Sequence, residues 1–209
     1  MLKTRLRAVG IAVAVTIGAI AGLVALVSGG DSGRNDTVLH ANPSRIPASW
    51  LAYRNGERGL RLRYPPSWHV ASTNLTPHLG LPGMPWEIVS LGTFAELDPT
   101  DHNCAHVPVN ALANVGVDDA FISVDERRPP SHDSGIPQRP KRFGPKSGIN
   151  GATADIGGCL DVPLPGSLRW IHFRQHRREF YIIVAIGRDA PPQRRANTYR
   201  ILESLIITS

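Results

Sequence analysis

Lysine and cysteine are scarce in this 209-residue chain, and several catalytic signatures are missing from it. It holds 3 lysines against 20 arginines, an imbalance that accords with a GC-rich coding bias alongside the abundant Ala, Gly, Val and Pro. It contains no G-x-S-x-G elbow, no H-E-x-x-H pair and no Gly-rich phosphate loop, so nothing in the motifs supports a serine hydrolase, a zincin or a nucleotide-binding enzyme. Just two cysteines occur, Cys104 and Cys159, and neither stands near the end of the N-terminal apolar run. That excludes lipid attachment to a cysteine at that point.

Charge is also absent from residues 8–28, which follow a short tail carrying Lys3, Arg5 and Arg7. As a helix this run of 21 residues spans roughly 31 Å, the thickness of a bilayer's hydrocarbon core. The denser basic flank is N-terminal, so the expectation is a cytoplasmic tail (1–7), a signal-anchor helix (8–28) and an exported remainder. The competing expectation is secretion after signal cleavage, although the apolar run exceeds the usual 7 to 15 residues of a signal peptide and lacks a clean A-x-A site. Residues 29–47 are polar and broken by Gly and Pro, the composition of a flexible linker. Residues 48–209 then form one exported domain, large enough for a real core.

The exported part carries 20 of the 23 basic residues and all 17 acidic ones, a balance of only +3. Its location and this modest charge disfavour a nucleic-acid partner. In an oxidising compartment, two cysteines imply one disulfide, Cys104 to Cys159.

Alternation marks strands at 59–64, 86–94, 120–126 and 168–174, with a β-rich run at 179–187. Trp68-His69-Val70 follows a Pro65-Pro66-Ser67 corner, and Asn110 to Val115 reads as a short helix before Gly116. The polar Gln175-His176-Arg177-Arg178 predicts a longer hairpin loop between the last two strands. Residues 127–146 hold five prolines and six basic residues, which predicts an exposed loop of partly polyproline II character. A helix is expected from Asp189 to about Ser204, burying Ala196, Tyr199 and Leu202, before a final short strand at 205–208.

The strand into Tyr64-Pro65-Pro66-Ser67-Trp68, the late strand pair closed by Gly187, and the helix into Ile201-Leu202-Glu203-Ser204-Leu205 together resemble the PsbP-like family. That family is typified by the photosystem oxygen-evolving subunit and includes secreted and anchored actinobacterial proteins. The resemblance implies an α+β fold with a central antiparallel β-sheet flanked by helices, here preceded by one N-terminal transmembrane helix. It also implies a binding or accessory role without catalysis and without a cofactor. The long Pro-rich loop departs from the family's pattern.

Three constellations invite chemistry. Asp98, Asp101, His102, Cys104 and His106 offer metal-ligand types within nine residues, and a metal site on the His102/His106 loop is the alternative to a disulfide-tied loop. His172 and His176 have ligand spacing only on a helix, whereas the local alternation is that of a strand. Ser131-His132-Asp133 has triad residue types, yet a triad converges from distant positions. An extracytoplasmic enzyme built from scattered residues is the other alternative. Finally, Arg174, Arg177 and Arg178 cluster at the hairpin tip, and Arg139, Lys141 and Arg142 line the Pro-rich loop. Such clusters attract an anionic cell-envelope component or another envelope protein.

Overall fold

Strands dominate the fold because most of the alternating segments find antiparallel partners. In the computed structural model the described residues are 46–76, 81–99, 106–151 and 164–209. All of them lie within one compact unit, Asn42–Ser209. The elements run β1 (Leu51–Asn55), β2 (Leu60–Tyr64), β3 (His69–Val70), β4 (Pro85–Gly92), α1 (Val109–Ala113), β5 (Ala120–Arg127), β6 (Ile149–Asn150), β7 (Gly166–Gln175), β8 (Arg178–Gly187), α2 (Pro192–Glu203) and β9 (Ile206–Ile207). No helix among the described residues is long and apolar enough to cross a membrane. The expected anchor at 8–28 and the Cys104–Cys159 bridge both lie outside those residues.

A six-stranded antiparallel sheet, in the order β3-β4-β5-β8-β7-β6, carries the molecule, and a three-stranded sheet, β1-β2-β9, stands apart from it. β5 and β8 are central and pair over the whole length of β5, from Ala120 with Ile186 to Arg127 with Glu179. Side chains alternate across a strand, so each face of the large sheet collects every second residue. One face presents Ile122, Val124, Phe180, Ile182 and Val184. It packs with Ile201 and Leu202 of α2 and with Leu60, Leu62 and Ile207 of the small sheet. The opposite face presents Phe121, Leu168, Ile183 and Ala185, which pack with Ala111 and Leu112 of α1.

Four details differ from the sequence expectations. The β7–β8 connection is a tight two-residue turn, because Gln175 pairs with Arg178. His176 and Arg177 adopt φ of 53° and 61°, the left-handed geometry such turns require and Asn-Gly would normally supply. The Pro-rich segment is more than an exposed loop: Ile136 and Phe143 are buried. It also adds a parallel bridge to β7, where Arg139 N–H donates to Arg174 O at 3.0 Å and Arg174 N–H donates to Pro137 O at 2.8 Å. Helix α2 begins after Pro191 rather than at Asp189, and it buries Thr198, Ile201 and Leu202. Ala196 is exposed.

Candidate functional site

The sheet register lines up four titratable or aromatic side chains in one transverse row. Glu87 of β4 faces Asp125 of β5, Asp125 faces Tyr181 of β8, and Tyr181 faces His172 of β7. Two residues along, Arg127, Glu179 and Arg174 form a second row on the same face. Cross-strand partners are the closest side-chain neighbours in a sheet, so these residues act as a connected network.

Glu179 is its hub, fully buried yet saturated with donors. Tyr181 Oη donates to Oε1 at 2.7 Å, and His172 Nε2 stands 3.1 Å from the same oxygen. The Ser131 N–H and Oγ donate to Oε2 at 2.6 and 2.8 Å. An Arg174 nitrogen lies 3.6 Å from Oε2. Burial alone would raise this carboxyl, but the Tyr181, Ser131 and His172 hydrogen bonds outweigh it and hold Glu179 at about 2. Burial and the bond to Glu179 conversely push Tyr181 up to about 12. A carboxylate so fixed is a structural anion with no proton to give near neutrality.

At the other end of the row, burial pushes Glu87 up, opposed by donors from Ser90, Leu75 and Thr76. Asp125 is raised well above the ordinary range by burial first and by the Glu87 carboxylate second. Its Oδ1 accepts from Ser123 Oγ at 3.1 Å, while its buried Oδ2 has no partner among the described residues. His106 sits against Trp170 edge-on with ring centres 5.0 Å apart, and 5.9 Å from Tyr181. Both of its ring nitrogens are buried without a partner among the described residues, and burial lowers it to about 4. His172 stacks on Tyr181 at 4.1 Å.

The basic residues singled out by sequence are dispersed. Arg174 and Arg178 belong to opposite faces, because Arg174 is level with Glu179 and Arg178 with Gln175. Arg174 donates to Ser131 O and Oγ. Arg178 makes a two-pronged pair with buried Glu126 at 2.7 and 3.0 Å, and it donates to the carbonyls of Thr208 and Arg58. Arg139 reaches Gln175 and the Leu202 carbonyl, with its guanidinium over Phe143. Arg177, Lys141 and Arg142 are exposed.

His172 and His176 diverge in role, the first within the network and the second in the exposed turn. No three His, Cys, Asp or Glu side chains come together to hold a metal ion among the described residues. Asp101, His102 and Cys104 lie outside them.

An open groove of about 700 Å³ runs between the Pro-rich segment and β7. It is lined by Pro137, Pro140, Arg142, Phe143, Lys146 and His172, among others. Along β7, Arg174 turns its peptide groups toward the Pro-rich segment, and alternation gives His172 the same outward direction. Sequence reasoning missed the row and the groove, since both depend on pairing between distant segments. Compared with family models, curated proteins and solved structures, the chain matches none.

Proposed function

We propose that the chain is a membrane-anchored extracytoplasmic binding domain of the PsbP-like kind, which holds an anionic envelope component without catalysing a reaction. The observation that carries this reading is the groove beneath the Pro-rich segment. There two exposed cations, Arg142 and Lys146, flank an apolar floor of Phe143 and Ile171, beside an outward-turned peptide edge at His172. Cations, apolar contact and backbone hydrogen bonds together suit an extended anionic chain. A central antiparallel sheet with α1 on one face and α2 on the other supports the PsbP-like assignment. The saturation of Glu179 supports binding over acid–base catalysis.

The test is retention of the purified full chain on an immobilised anionic envelope polysaccharide, wild type against the Arg142→Ser/Lys146→Ser variant. Salt-dependent retention of the wild type and its loss in the variant are the expected results. Equal retention of the two removes the groove from the function. One observation favours an enzyme instead: Asp125 is buried beside Glu87 with one oxygen unpartnered among the described residues, and burial raises its carboxyl in the direction a general acid uses. Replacement by Asn would abolish a turnover that depends on it and leave polysaccharide retention intact.

A further inference from the structure

Two arginines absent from the sequence-level clusters stand directly opposite each other on the small sheet. Arg54 of β1 pairs in register with Arg61 of β2, and Arg61 pairs with Ile206 of β9. The row therefore reads cation, cation, aliphatic across three strands. Arg54 and Arg61 are exposed, and Ile206 is 44 % exposed. Like charges directly opposite each other in a sheet destabilise it. Among the described residues neither guanidinium has a carboxylate within ion-pair distance; the arginines that do are Arg58, Arg128, Arg174, Arg178, Arg188 and Arg194.

The row lies in a groove of about 510 Å³ that also takes in Ile46, Ala52, Arg63 and Glu203. Arg63 is held by the Ala48 and Trp50 carbonyls at 3.0 and 2.7 Å, and its buried Nε has no partner among the described residues. Among the described residues, Glu203 is the one acidic side chain that lines this groove, alongside Arg54, Arg61 and Arg63. An uncompensated cationic pair beside exposed aliphatic carbon is complementary to an amphiphile with an anionic head.

Ile46, the first described residue, lines this same groove. In sequence Ile46 stands 18 positions after Ser28, the last residue of the expected anchor, so this is the described face nearest that anchor along the chain. We infer that the outer face of the β1-β2-β9 sheet docks on the anionic phospholipid surface of the anchoring membrane, with Arg54 and Arg61 on phosphate groups and Ile206 at the acyl boundary. This rests on the proposed anchoring, and on no other part of the proposed function. Docking this face turns β1, β2 and β9 to the bilayer and fixes which surfaces of the domain stay open to other partners.

The experiment is hydrogen–deuterium exchange of the full chain reconstituted in vesicles of phosphatidylcholine alone or mixed with phosphatidylglycerol. The expected result is a severalfold slowing of exchange in β1 and β9 in the mixed vesicles only, reversed by high salt and absent from the Arg54→Thr/Arg61→Thr variant. That variant removes a repulsion, so it should fold as the wild type does. Arg142→Ser/Lys146→Ser should keep the protection.

Equal exchange in the two vesicle types overturns the inference, as does protection produced by inorganic phosphate with neutral vesicles. Failure of the chain to remain with neutral vesicles strikes the anchoring instead, and is read separately by flotation.

Discussion

Arg178 and Arg61 are the same kind of side chain in opposite situations, and the difference lies in what faces them. Arg178 emerges over a buried carboxylate, Glu126, and its remaining donors end on two carbonyls. Arg61 emerges opposite another arginine on an exposed sheet face. The first cation closes the structure and has little capacity left for a ligand. The second adds nothing to the fold that the structure shows, and is available to a partner. An arginine's position in a basic run along the chain therefore says little about its role; its strand parity and its cross-strand neighbour say more.

The sharpest way to break this comparison is Arg178→Ala. It removes the two-pronged partner of the buried Glu126 carboxylate while Arg128 still pairs with it at 2.9 Å, and the expected loss is roughly 1.5 to 3 kcal/mol of folding stability. Urea unfolding measures it, and a loss below 1 kcal/mol would return Arg178 to the pool of binding residues. Glu179→Gln comes next. Exchanging the carboxylate for an amide turns one oxygen into a donor that faces the Ser131 or Tyr181 donors, at about 1 to 3 kcal/mol near neutral pH. The loss should shrink on approach to pH 2, where the wild-type carboxylate itself takes up a proton.

Acid titration separates a third contribution. His106 is lowered from 6.5 to about 4, so its neutral burial supports the fold fully above pH 6.5. That support is lost progressively as the pH falls through 4. The wild-type unfolding midpoint should drop across this window, and His106→Phe should flatten that part of the profile. An unchanged slope would mean that His106 opens to water before it protonates. The smallest effect belongs to Arg54→Thr, which should leave stability unchanged or raise it by about 0.2 to 1 kcal/mol through removal of the Arg54–Arg61 repulsion. A loss of more than 1 kcal/mol would show an intramolecular role for Arg54.

Much of the sheet was legible in the sequence because alternation is local. Leu60–Tyr64, Ala120–Arg127 and Arg178–Gly187 announce themselves by side-chain period and β-branched content. β1 did not, since Leu-Ala-Tyr-Arg-Asn is short and lacks a clean apolar face. The tight β7–β8 turn was hidden by its residues: His and Arg rarely take left-handed geometry, and here the full pairing of two ten-residue strands imposes it. Composition alone makes the Pro-rich segment an exposed loop, yet proline retains its carbonyl, and Pro137 uses it to accept from β7.

The candidate site was far less legible. Alternation through Leu168–Arg174 already separated the faces of neighbouring side chains, but adjacency in sequence drew Arg174, Arg177 and Arg178 together. Nothing local could join Glu179 to Ser131, 48 residues away, or Glu126 to Arg178, 52 residues away.

The pairing of β2 with β9 brings Leu60 against Ile207. A chain that emerges from the ribosome N-terminus first therefore holds β2 with one neighbour missing until β9 has appeared. The β4-β5-β8-β7 block can assemble earlier, since β7 and β8 are joined by two residues. Closure of the small sheet is thus timed by the synthesis of β9, and loss of residues 206–208 strips the Gly59–Thr208 backbone bond and the Arg178–Thr208 contact in a single event. The β9 segment works as a latch, and a proteolytic cut just before it would open the small sheet along β2.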